Sequence, residues 1–84
     1  MKEAIRDKRR MIIGYVDKKL NGEYIIYNKS NLRLGIMKPS GSKLYAFDKS
    51  NRRLGYWDER TNTTYDKNNK RMGKGNLLIG FYFI

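Results

Sequence analysis

Arg33, Arg53 and Arg71 each stand five residues after an Asn or Asp (Asn28, Asp48, Asp66) and two before a glycine (Gly35, Gly55, Gly73). Three guanidinium groups at one place in a recurring pattern are suited to phosphate, because the planar fork bonds two oxygens at once and a neighbouring glycine lets a ligand come close to the backbone. Arg10 is read as a fourth member of the set. Trp57, Tyr56 and Tyr15, with Tyr45, supply aromatic surfaces on which a nucleobase could stack.

Other chemistry is poorly supplied. The 84 residues contain no histidine and no cysteine, which removes the usual acid–base group near neutral pH, thiolate chemistry and nearly all zinc or iron sites. Apart from the adjacent Asp58 and Glu59 the eight acids form no close pair in the sequence, and serines 30, 40, 42 and 50 have no base partner. The expectation is a protein that is not an enzyme and needs no cofactor or metal. Nineteen lysines and arginines against eight acids give a formal charge of +11, a field that favours nucleic acid, nucleotides or another polyanion.

The arginines belong to a repeat. Tyr27-Asn28-Lys29-Ser30-Asn31-Leu32-Arg33-Leu34-Gly35 is followed by Phe47-Asp48-Lys49-Ser50-Asn51-Arg52-Arg53-Leu54-Gly55 and by Tyr65-Asp66-Lys67-Asn68-Asn69-Lys70-Arg71-Met72-Gly73. Each copy reads as the end of a strand, a tight turn and a new strand. The Asp/Asn-Lys-Ser/Asn-Asn group supplies side chains that bond their own backbone and tolerate a left-handed residue. Asp7-Lys8-Arg9-Arg10-Met11 reads as a first copy with a shortened turn. Gly14, Gly35, Gly55 and Gly73 lie 21, 20 and 18 residues apart, so the chain holds four hairpins.

Strands are expected over residues 11–17, 23–27, 32–38, 43–47, 52–58, 63–65 and 70–76, with 77–84 returning as the last. The domain is residues 11–84, and residues 1–10 form a charged arm or short helix. In an extended strand residues two apart share a face. Arg33 then falls with Gly35 and Met37, and Arg53 with Gly55 and Trp57. Leu34, Leu54 and Tyr56 fall on the core side. Two readings of the arginines stay open, an accessible anion site or pairing with Asp48, Asp58 and Asp66.

An open array of hairpins leaves raw sheet edges, and closure into a ring removes them. Over about residues 11–84 the chain resembles the small bacterial proteins known as four-fold β-flowers, whose repeats carry an Asp-Lys-Asn-x-Arg-Arg-Leu/Val-Gly-Tyr pattern like Asp48 to Tyr56 here. That resemblance implies an all-β fold of four hairpins around a pseudo-fourfold axis and carries no settled activity. The last copy departs from it, with Lys74-Gly75-Asn76 in place of an aromatic-rich strand.

The leading functional expectation is sequestration of a nucleotide-derived signal, a cyclic nucleotide or ADP-ribose type, in a symmetric basic pocket, as in a phage counter-defence protein. The alternatives are a nucleic-acid binder or inhibitor of a host nuclease complex using a broad basic face, and a protein-interaction module. In the last, a homo-oligomer forms through Leu77, Ile79, Phe81 and Phe83. The charged N-terminus and the absence of any apolar run near the ~20 residues of a membrane helix point to the cytoplasm and away from the membrane.

Overall fold

A computed structural model of the chain describes residues 2–83. Eight strands follow one another as a single antiparallel meander: β1 (Lys2–Arg6), β2 (Ile12–Lys18), β3 (Tyr24–Asn28), β4 (Arg33–Ser40), β5 (Lys43–Asp48), β6 (Arg53–Asp58), β7 (Thr63–Asp66) and β8 (Arg71–Lys74). Each pairs only with its neighbours in sequence, so among the described residues the sheet is open, with β1 and β8 at its edges. The fold class is all-β as expected, and the closed ring is not what the pairing makes. The expected N-terminal arm is instead a sheet strand, with Lys2 opposite Asp17 and Ile5 opposite Gly14. Among the described residues no helix is long and apolar enough to cross a membrane.

The turns opening the repeats are built alike. In each, one carboxylate or amide oxygen accepts the backbone N–H groups two and four residues ahead: Asp7 from Arg9 and Met11, Asn28 from Ser30 and Leu32, Asp48 from Ser50 and Arg52, Asp66 from Asn68 and Lys70, all at 2.8 to 3.0 Å. The residue three ahead is left-handed in all of them: Arg10 at φ 64°, Asn31 at 65°, Asn51 at 63° and Asn69 at 64°. The first turn is therefore complete rather than shortened. Counting from Asp7, Arg10 stands where the other copies have asparagine, and Ile12 stands where they have Arg33, Arg53 and Arg71.

Behind each turn the register slips by one residue. Arg6 faces Ile12 while Ile5 faces Gly14, Tyr27 faces Arg33 while Ile26 faces Gly35, Phe47 faces Arg53 while Ala46 faces Gly55, and Tyr65 faces Arg71 while Thr64 faces Gly73. The extra residues are Ile13, Leu34, Leu54 and Met72, one β-bulge per repeat. A bulge breaks the two-residue alternation, so the arginine and the glycine two positions later point to opposite faces. Arg33 and Arg53 share the face of Tyr27 and Phe47, whereas Gly35, Met37, Gly55 and Trp57 face the core. This separates arginine from glycine, expected together, and takes Tyr56 off the core side, while Leu34 and Leu54 pack against the core as expected.

The glycine face is closed by the chain's own end. Residues 77–84 were expected as a returning strand; among the described ones, Leu78–Phe81 form a 3-10 turn and the rings beyond it fill the sheet. A Cβ added to Gly14 would lie 2.5 Å from Phe83 Cζ, one on Gly35 2.6 Å from Tyr82 Cε1, one on Gly55 2.8 Å from Phe81 Cζ, and one on Gly73 3.1 Å from Leu77 Cδ1. Successive repeats thus each receive one side chain of the terminal segment, in reverse order. Leu78 is fully buried with Ile26, Met37, Leu44 and Ala46.

Buried Thr64 starts this segment on its path: its hydroxyl donates to Gly75 O at 2.6 Å and accepts the N–H of Leu77 at 3.0 Å. Ile79, Phe81 and Phe83 pack against the chain's own core, leaving Leu77, 45% exposed, as the exposed member of the expected oligomer surface. Ile84 lies outside the described residues, as does Met1.

Candidate anion-binding face

The face turned away from the C-terminal segment carries the tyrosines. Cross-strand partners place its side chains in slanting rows. One row runs Ala4, Tyr15, Tyr27, Arg33. The next runs Ile25, Ile36, Phe47, Arg53. A third runs Lys38, Tyr45, Tyr56, Tyr65, Arg71. Each row ends at the arginine that opens the next outgoing strand. The rows are slanted because each bulge shifts the register of its repeat against the one before.

The rings of the third row lean on one another. Tyr56 and Tyr65 stack with centroids 5.1 Å apart at 23°, and Tyr45 meets Tyr56 at 5.5 Å and 41°. Ring pairs of this kind contribute roughly 0.5–1.5 kcal/mol beyond the area they bury. Cations lie over the ring faces: Lys2 Nζ is 4.1 Å from the Tyr27 centroid, Lys43 Nζ 5.1 Å from Tyr56, Lys38 Nζ 5.7 Å from Phe47, and the Arg53 guanidinium 5.8 Å from both Tyr45 and Tyr56. Each such contact is worth roughly 0.5–1 kcal/mol at an exposed site, which restrains a long side chain while its charge stays in solvent.

Neutralising carboxylates are scarce. Among the described residues the ion pair is Lys19 with Asp17 at 3.5 Å, and no arginine has a carboxylate partner. Asp48 and Asp66, one option for pairing with the arginines, spend an oxygen on their own turns. Asp58 Oδ1 likewise accepts the N–H of Arg60 at 3.0 Å.

Of the residues singled out from the sequence, Arg33, Arg53, Arg71, Tyr56 and Tyr15 share this face. Arg10 does not: it occupies the first turn, where its carbonyl accepts from Arg6 Nη1 at 2.8 Å. Trp57 lies on the opposite face, its indole N–H donating to Asn62 Oδ1 at 3.0 Å. The arginines do not meet in a central pocket, because β4, β6 and β8 are separated by β5 and β7. With neighbouring strands about 4.8 Å apart, their backbones stand roughly 10 Å from one to the next along the sheet.

Tyr27, Phe47 and Tyr65, read from the sequence as structural closing aromatics, and Lys2, Lys38 and Lys43 belong to the same face. The aromatic just before each turn and the arginine five residues after it become cross-strand neighbours once the bulge is included. That relationship was present in the spacing. The lysines carry no such signal, since their approach to the rings depends on pairing between distant strands.

Tyr82, on the core side, is chemically distinct. Burial pushes its phenol well above the usual tyrosine range, reinforced by the charge of Asp48 and opposed by the hydrogen bond to the Phe47 carbonyl. No group of three metal-ligating side chains is present among the described residues. Comparison with protein-family models, with curated proteins and with solved structures finds no match.

Proposed function

We propose that this chain is a non-enzymatic binder of an extended phosphate polyanion, a nucleic-acid strand being the best fit, and that it binds across the tyrosine face. The observation that carries the proposal is the placement of Arg33, Arg53 and Arg71 at matching row ends of one face, without carboxylate partners among the described residues. Row ends on alternate strands suit an anion with several phosphates along its length. A single compact messenger held by all three arginines suits this spacing less well.

The phenol rings contribute mainly as a rigid floor. Tyr56 is flanked by Tyr45 and Tyr65 and overlain by Lys43 and Arg53, so its faces are largely taken and base stacking on it is secondary. Recognition then rests on charge and hydrogen bonding to phosphate, with little sequence preference.

Fluorescence anisotropy with labelled oligothymidylates of increasing length tests the proposal. The expected result is length-dependent binding whose log affinity falls with log salt, by about 0.7 per phosphate contacted on a single strand. An absence of binding at low salt to single- or double-stranded DNA or RNA overturns it.

A further inference from the structure

Superposing the repeats by sequence position shows that the middle of the face differs from its flanks. Three residues after the repeat glycine stand Asp17, Lys38 and Asp58, and three before the turn residue stand Ile25, Tyr45 and Thr63. These are cross-strand partners in each case: Asp17 with Ile25, Lys38 with Tyr45, Asp58 with Thr63. The flanking repeats therefore set an aspartate beside a small or aliphatic residue on the same face as their arginine. In the central repeat that aspartate is a lysine and its partner is aromatic.

The two cations of the central repeat line one cleft. Lys38, on β4, is directly opposite Tyr45 but carries its ammonium 5.7 Å from the ring of Phe47, the next residue on that face of β5. Arg53, on β6, is directly opposite Phe47 and carries its guanidinium 5.8 Å from the rings of both Tyr45 and Tyr56. They approach the rings of β5 from the strands on either side of it. With Pro39 and Ser40 these residues line an open cleft of about 510 Å³, within the roughly 300–1,000 Å³ common for small-ligand sites. Two positive groups lining one cleft repel, and an anion between them relieves that repulsion.

We infer that the Lys38–Arg53 cleft is a discrete site for a nucleoside phosphate, the phosphate held between the ammonium and the guanidinium and the base resting against Tyr45 and Phe47. The inference rests on the proposed reading of the tyrosine face as anion-binding and names its strongest point. A free nucleotide and the phosphorylated 5′ end of a strand present the same chemistry.

Calorimetry and amide NMR with AMP, adenosine and inorganic phosphate test it. AMP is expected to shift the amides of Lys38, Tyr45, Phe47 and Arg53 while leaving those of Ile25 and Thr63 in place, with adenosine at least tenfold weaker. Lys38→Asp, which installs the residue of the flanking repeats, and Lys38→Gln are each expected to weaken AMP at least tenfold with an unchanged melting temperature.

A 5′-phosphorylated oligothymidylate binding more tightly than its unphosphorylated twin assigns the site to strand ends, and equal binding of the two with AMP retained assigns it to free nucleotide. AMP affinity in both variants equal to that of the unsubstituted protein, or AMP shifts spread evenly over the rows, overturns the inference. Oligothymidylate bound without AMP removes this site and leaves the wider face standing, whereas AMP bound without oligothymidylate removes the extended-strand reading alone.

Discussion

The Tyr82 hydroxyl donates to the carbonyl of Phe47 at 2.9 Å, with the Ile36 carbonyl at 3.2 Å, joining residues 35 and 46 positions apart. That contact fastens the terminal segment beneath the middle of the sheet, directly behind the strand that carries Phe47 on the opposite side. Tyr82→Phe should cost about 0.5–1.5 kcal/mol, read as a lower melting temperature.

The same residue sets an alkaline limit. Its folded-state pKa is raised above the ordinary 10.0, chiefly by burial. Below about pH 10 both folded and unfolded chains keep the proton and the stability is fully present. As pH rises further the unfolded chain releases a proton that the folded chain retains, so stability falls with pH. Denaturant titrations between pH 8 and 11 should show that fall, and Tyr82→Phe should make it shallower. Equal slopes in the two proteins would exclude Tyr82 as its source.

Gly35 has no room for a methyl group, since the added carbon would sit 2.6 Å from Tyr82 Cε1 and also against the Phe47 carbonyl. Gly35→Ala should destabilise by roughly 1–3 kcal/mol through overpacking, which is about 4–8 °C of melting temperature per kcal/mol in a domain of this size. Gly80→Ala, which meets nothing within 4 Å, is the matched control and should change stability by less than about 0.5 kcal/mol.

Arg10 stands in the left-handed position that the other copies give to Asn31, Asn51 and Asn69. Arg10→Asn should stabilise the chain by up to about 1 kcal/mol, because asparagine tolerates that conformation better than arginine. The same substitution should leave the arginine track intact. A large loss of nucleic-acid affinity in this variant would return Arg10 to the site.

Arg33→Gln, Arg53→Gln and Arg71→Gln should each weaken oligonucleotide binding and lower the salt slope, by roughly one phosphate contact apiece. Circular dichroism melts, expected to be unchanged for these exposed side chains, separate a binding effect from unfolding. An unaltered salt slope in all of them would place the phosphate contacts elsewhere.

The division between sequence and tertiary structure is sharp in this chain. The repeats, their turns and the all-β class were legible because they depend on local chemistry: an Asp or Asn oxygen capping the backbone N–H groups two and four residues ahead needs nothing from the rest of the molecule. The arginines were legible as a set for the same reason. Their face was not, because one extra residue per hairpin inverts the alternation, and whether Leu34 is paired or bulged is decided by strand partners and by the ring of Tyr82 beneath Gly35.

Nor did local pattern reveal that Phe81, Tyr82 and Phe83 fill the glycine gaps instead of forming a strand. An aromatic run reads equally as strand or plug, and only the empty spaces left by Gly14, Gly35 and Gly55 select between them. Lys38 differs again: its identity stood in the sequence as a departure from Asp17 and Asp58. Only the sheet, by setting Arg53 on the far side of β5, brings that difference into one cleft with a second positive charge.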